Sequence, residues 1–149
     1  MNRKLMLAIS ALAIVGITLS VVSIKNHYSG VPTEYCDLGE TFNCDLVNRS
    51  VYSRFMGMPV AIIGLVGYAA LFILSRLRGR GVAPAILVAA LGGLAFSLYL
   101  TYIEAYVLGV WCILCLSSLA IIAAITVLSA IATVKTVAQL NQASGFEKS

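Results

Sequence analysis

The chain has 149 residues, 60% hydrophobic and 11% charged, where soluble domains carry about 25% charged residues. A soluble fold of this length cannot cover so much apolar surface, which excludes a soluble enzyme, a disordered chain and a nucleic-acid-binding domain. The net charge of +4 therefore bears on membrane topology rather than on an acidic partner.

Four uncharged runs follow one another along the chain: Leu5–Ile24 (20 residues), Phe55–Ser75 (21), Gly81–Ile103 (23) and Ala105–Val134 (30). About 20 apolar residues suffice for a helix to cross a bilayer. Continuous apolar runs exclude a β-barrel, whose strands alternate polar and apolar positions. The fold class predicted is an all-α integral membrane protein: a four-transmembrane-helix bundle forming a single domain over 1–149.

The first run follows Arg3 and Lys4 but is too long for the apolar core of a typical signal peptide. No small-residue cleavage site precedes Lys25 and Asn26, so a retained helix is expected at 5–24. The segment 25–57 is a long polar loop containing His27, Cys36, Asp37, Gly39 and Cys44. Within it Val47, Val51 and Phe55 recur every four residues, compatible with a short half-buried helix. Pro59 marks the start of a second helix over 58–75, and Pro84 the start of a third over 82–104, since proline is tolerated in a first helical turn. Gly64, Gly67, Gly92, Gly93 and Ala95 suit close helix packing. Glu104, ionisable and near a span end, is a functional candidate. The last run, about 45 Å long if wholly helical, exceeds the hydrocarbon thickness, so its first residues belong to a turn and the fourth helix covers 109–134. A short polar tail begins near Val137.

Arginine and lysine accumulate on the cytoplasmic side of membrane helices. With four spans, Arg3, Lys4, Arg76, Arg78, Arg80, Lys135 and Lys148 share one side with Glu147. Lys25, Arg49 and Arg54 share the other with Glu34, Asp37, Glu40, Asp45 and Glu104. The expected topology is a multi-pass cell-membrane protein with both termini cytoplasmic and the 25–57 loop outside.

The cysteines carry the chemistry. Cys36 and Cys44 lie in the loop, within CDLGETFNC, and Cys112 and Cys115 form CILC after Trp111. All four are expected on the extracytoplasmic side, where disulfides persist. Cysteines at i and i+3 share a helix face at a separation a disulfide accepts, and a helix N-terminus favours thiolate. Two pairs, one on a loop and one at the membrane mouth, suit a relay of thiol–disulfide exchange. Two other readings stay open. Static bridges in a structural four-span protein would resemble claudins, although a bridge within one helix braces little. Four thiolates also suit zinc, although this spacing is unlike the usual knuckles, and no metal is expected.

CDLGETFNC, four spans and YLTYIEAYVLGVWCILC entering the last span together resemble the vitamin K epoxide reductase family, over nearly the whole chain. The resemblance implies a four-helix bundle around a quinone, with a short half-helix in the first loop lying over the site. It implies a membrane oxidoreductase of the prokaryotic kind, oxidising a thioredoxin-like carrier and reducing a quinone of the ubiquinone or menaquinone type, in support of disulfide formation. At 149 residues the chain has no room for the fused thioredoxin-like domain of some members, so the carrier is expected in trans. By the same resemblance Cys36 and Cys44 are a shuttle pair and Cys112 and Cys115 the active-site pair. Cys44 then exchanges with Cys112, and Cys115 faces the quinone. Ser50 matches a serine near the active site and quinone, and Trp111, before CILC, a position often aromatic in the family and assigned to the quinone site, its other reading being a residue of the interfacial belt. Where vertebrate members have an asparagine and a tyrosine as quinone donors, this chain has Ser53 and Leu119, which favours quinone over epoxide reduction. A quinone acceptor also suits the residues themselves. No nucleotide, flavin or haem motif is present, and a membrane dithiol needs a lipid-soluble oxidant.

Overall fold

The computed structural model describes residues 2–30 and 39–147, so Cys36 and Asp37 lie outside the described residues. The chain forms α1 (Arg3–Ser29), α2 (Cys44–Arg49), a 3-10 turn (Val51–Ser53), the two-residue strands β1 (Arg54–Phe55) and β2 (Met58–Pro59), α3 (Val60–Arg76), α4 (Val82–Ile103), a π-turn (Glu104–Leu108) and α5 (Ile113–Glu147). Three segments, Arg3–Ser29, Val82–Leu108 and Ile113–Phe146, are long and apolar enough to cross a membrane. The fourth apolar helix, α3, has 17 residues, about 26 Å at 1.5 Å per residue. This is an all-α membrane protein.

The long helices pack in a ring, α1 on α3, α3 on α4, α4 on α5 and α5 back on α1. Ile9 and Ala13, Tyr68 and Leu71, Ile86 and Ala90, and Ile122 and Ile125 fill its centre. The Tyr68 ring lies on Gly16, where a Cβ would collide with it, and its hydroxyl meets Ser118 across the bundle, 3.0 Å from the carbonyl O and 2.8 Å from Oγ. Gly64 and Gly93 also sit at close approaches, to Ser20 and Ile122, whereas Gly67 and Gly92 face open space. Val66, Ile73, Val88, Leu98 and Val127 are exposed on the outer faces. Helices apolar all round need lipid there.

Two local expectations change. The four-residue recurrence of Val47, Val51 and Phe55 does not make one helix: α2 stops at Arg49, Val47 is buried, and Val51 is 86% exposed. The chain turns instead through Met56 and Gly57, with φ of 52° and 86°, the two positive angles that a tight hairpin joining β1 to β2 requires. The fourth helix does not end at 134: the polar stretch after Val137 is the exposed end of α5. Ala138, Gln139, Leu140, Gln142 and Ala143 are all good helix formers, and no proline interrupts them.

Candidate active site

The site forms where two segments of chain run side by side. Gly109, with φ 66°, ends the π-turn that extends α4. Beyond it Trp111 pairs in parallel with Phe42: Trp111 N–H donates to the Thr41 carbonyl at 2.9 Å, and Asn43 N–H donates to the Trp111 carbonyl at 3.2 Å. Because the pairing is parallel, both segments enter helices together. Cys44 opens α2, its first turn capped by Asn43, whose Oδ1 accepts from Leu46 N–H at 2.8 Å. Cys112 precedes α5, and its carbonyl accepts from Leu116 N–H at 3.0 Å. Cys44 and Cys112 are completely buried and form a small core with Val47, flanked by Leu108, Val110, Leu114 and Cys115.

The redox states differ. Cys44 is in a disulfide, while Cys112 and Cys115 are free thiols. The Cys112 thiol is held below its usual value, first by a hydrogen bond from the Cys115 thiol to the thiolate. Backbone N–H groups at the start of α5 help, against the opposing effects of burial and of Glu104. Glu104 comes inward from the π-turn and is 2% exposed. Its Oε2 accepts from Cys112 N–H at 3.2 Å, and its Oε1 has no hydrogen-bond partner among the described residues.

Beside these groups lies a cavity of about 120 Å³, comparable to the roughly 150 Å³ pocket that holds benzene in an engineered protein. Leu19, Val60, Phe96, Leu100, Leu108 and Leu114 make it apolar, and Cys115, Glu104, Asn48, Ser50 and Ser53 bring polar atoms to its wall. Asn48 ties the lid to α1. Ser23 Oγ donates to its Oδ1 at 3.1 Å, and its carbonyl receives Ser53 Oγ and His27 Nδ1, each at 2.6 Å. A carbonyl only accepts, so Nδ1 carries the proton. The Asn48 Nδ2, buried, has no hydrogen-bond partner among the described residues. An apolar, ring-sized space with unsatisfied polar groups in its wall fits a quinone head group.

Of the residues expected at the site, Cys44, Cys112 and Cys115 come together, and Ser50 lines the cavity with its Oγ donating to the Val47 carbonyl at 2.8 Å. Cys36 lies outside the described residues. Trp111 does not line the cavity; its backbone supplies the pairing with Thr41 and Asn43. The sequence places His27 in the polar loop without assigning it a role at the site, and gives no role to Asn48. The signal available for Asn48 was its place four residues after Cys44, on the same face of a short helix.

The fold and site define a class: helical membrane proteins that seal a disulfide cysteine against a CxxC pair over an apolar cavity. Within it, a model describing the vitamin K epoxide reductase family matches residues 7–130, a stretch containing all four cysteines. The chain belongs to that family, whose members are generally oxidoreductases. No curated protein matches it.

Proposed function

We propose that the chain is a four-span thiol:quinone oxidoreductase that oxidises a thioredoxin-like carrier and passes the electrons to membrane quinone. The observation that carries this reading is the sealed cluster of Cys44 and Cys112, one oxidised and the other a thiol favoured as thiolate. A reduced carrier exchanges with a Cys36–Cys44 disulfide, becoming oxidised and leaving two loop thiols. The Cys44 thiolate then attacks Cys112 in a Cys112–Cys115 disulfide, Cys36 resolves the mixed disulfide, and the loop bridge re-forms with Cys112 and Cys115 reduced. A quinone in the cavity supplies the two-electron acceptor that restores the Cys112–Cys115 disulfide. Asn48, whose Nδ2 is unsatisfied, would hold the quinone together with Ser50 and Cys115, which also line the cavity. Static bracing does not require Cys112 and Cys115 to be thiols beside a cavity.

The test is turnover of purified protein with a reduced thioredoxin-like carrier and a soluble quinone, followed by quinone absorbance. Activity is expected in the wild type and absent in Cys115→Ser, with the Cys44 disulfide retained in the variant. Absence of turnover in the wild type overturns the reading.

A further inference from the structure

We propose that Glu104 is the proton-transfer residue of the Cys112–Cys115 pair, carrying the Cys115 proton to the electron acceptor in the cavity. The inference rests on the thiol:quinone reading and adds a proton path that the cysteines alone do not supply. Five observations carry it. The carboxyl is 2% exposed, and Oε1 is buried with no hydrogen-bond partner among the described residues. Oε2 is fixed by Cys112 N–H at 3.2 Å. Both Cys115 and Glu104 line the cavity, and the carboxyl lies within electrostatic reach of both thiols.

A structural role does not explain an acid here. Capping Cys112 N–H needs only an oxygen, which a glutamine provides. A carboxyl in an apolar setting is costly without a cation, and among the described residues no lysine, arginine or aspartate lines the cavity. The titratable groups around it are Cys112 and Cys115, with His27 from α1 and Tyr52 from the lid on the cavity wall. The π-turn that aims Glu104 inward is a feature often found at functional sites.

The step balances as follows. When Cys112 and Cys115 close their S–S bond, the two thiols give up two electrons and two protons. The electron pair goes to the quinone. The Cys115 proton passes through Glu104 Oε1 to one quinone oxygen, one proton in and one out, so Glu104 ends as it began. The Cys112 proton leaves to water, and the other quinone oxygen takes its proton from water.

Glu104→Gln keeps the cap on Cys112 N–H and removes the acid, and Glu104→Asp keeps an acid at shorter reach. Two measurements on the full-length protein separate the possibilities, with the Cys44 disulfide checked in each variant. The first needs no quinone: the pH profile of maleimide labelling at Cys115 in reduced protein, read by mass spectrometry. Adjacent acid and thiol titrate as a coupled pair, so the midpoint in Glu104→Gln is expected to differ from wild type by about one pH unit or more. The second is quinone turnover, expected to fall about 100-fold or more in Glu104→Gln, to recover in part in Glu104→Asp, and to change its pH profile. If Glu104→Gln fails to retain the Cys44 disulfide, Glu104→Asp and Glu104→Asn, equal in length and differing only in the acid, decide, with equal turnover and equal labelling midpoints in the two counting against the proposal. An unchanged labelling midpoint with turnover within about threefold of wild type overturns the role of Glu104. Absent turnover in the wild type overturns instead the thiol:quinone reading, and the labelling profile still decides whether Glu104 shares a proton with Cys115.

Discussion

Cys112 and Cys115 are three residues apart, yet Cys112 is the one that lies inside the buried cluster with Cys44 and gives its N–H to the Glu104 carboxylate, while Cys115 packs against that cluster. Its depressed titration depends first on a hydrogen bond from Cys115, which stabilises the charged form. In Cys115→Ala that donor is lost, and the Cys112 titration is expected to move to higher pH. With the loop bridge intact Cys112 is then the single free thiol, so thiolate ultraviolet absorbance reads it directly. An unchanged midpoint in Cys115→Ala removes the thiol pairing as the cause. Asn48 makes a separate prediction. Losing one net hydrogen bond of roughly 1–1.5 kcal/mol in Asn48→Ala is expected to raise the quinone KM up to about tenfold, with kcat little changed. Equal losses in kcat and kcat/KM would instead assign Asn48 to the transition state. The grouping of Cys44, Cys112 and Cys115 was legible from spacing because thiol chemistry is confined to so few residue types. Asn48 and the inward aim of Glu104 were not. Which polar atoms stay unsatisfied is decided only once Ser23, His27 and Ser53 have taken the others.

Helix α2 has six residues, too few to persist alone in water. It is held by the Asn43 cap, the pairing of Thr41 and Asn43 with Trp111, and the bonds from Ser23 and His27 to Asn48. Asn43→Ala removes the cap at a cost of about 1 kcal/mol. Local opening of α2 is therefore expected to become about fivefold more frequent, and reduction of the Cys44 disulfide by dithiothreitol faster by the same factor. A rate equal to wild type would show that the Trp111 pairing and the Asn48 bonds hold α2 without the cap. The sequence signalled a short helix here through Val47 but misjudged its extent. Val51 and Phe55 continue the spacing on residues that the chain spends in a 3-10 turn and a hairpin. The hairpin was illegible because Met56 occupies a positive-φ position, where asparagine or glycine is the usual sign.

For the molecule as a whole, the apolar runs located the long helices within a few residues, since lipid demands unbroken hydrophobic length. They did not reveal how far α5 continues past Val134, because beyond the apolar stretch only helix propensity acts. They also leave open whether α3, at 17 residues, crosses the membrane, and the proposed relay depends on that crossing. With four crossings, Arg76, Arg78 and Arg80 lie on the side of both termini, and Cys44 and Cys112 share the opposite side. An arginine at the bilayer centre costs about 2.5–3.5 kcal/mol on insertion scales, so this cluster stays out of the hydrocarbon whichever way the chain is threaded. Tyr28, 69% exposed at the end of α1, Gly79 between α3 and α4, and Ser144 near the exposed end of α5 report the three positions that matter. In a chain whose native cysteines are serines, cysteine at 28 is expected to react with an impermeant maleimide in intact cells. Cysteine at 79 or 144 is expected to react only after permeabilisation. If positions 28 and 79 label from the same side, α3 does not cross. In that arrangement α4 would deliver Cys112 to the face opposite Cys44, against their burial in one cluster, and a relay between them would have no path.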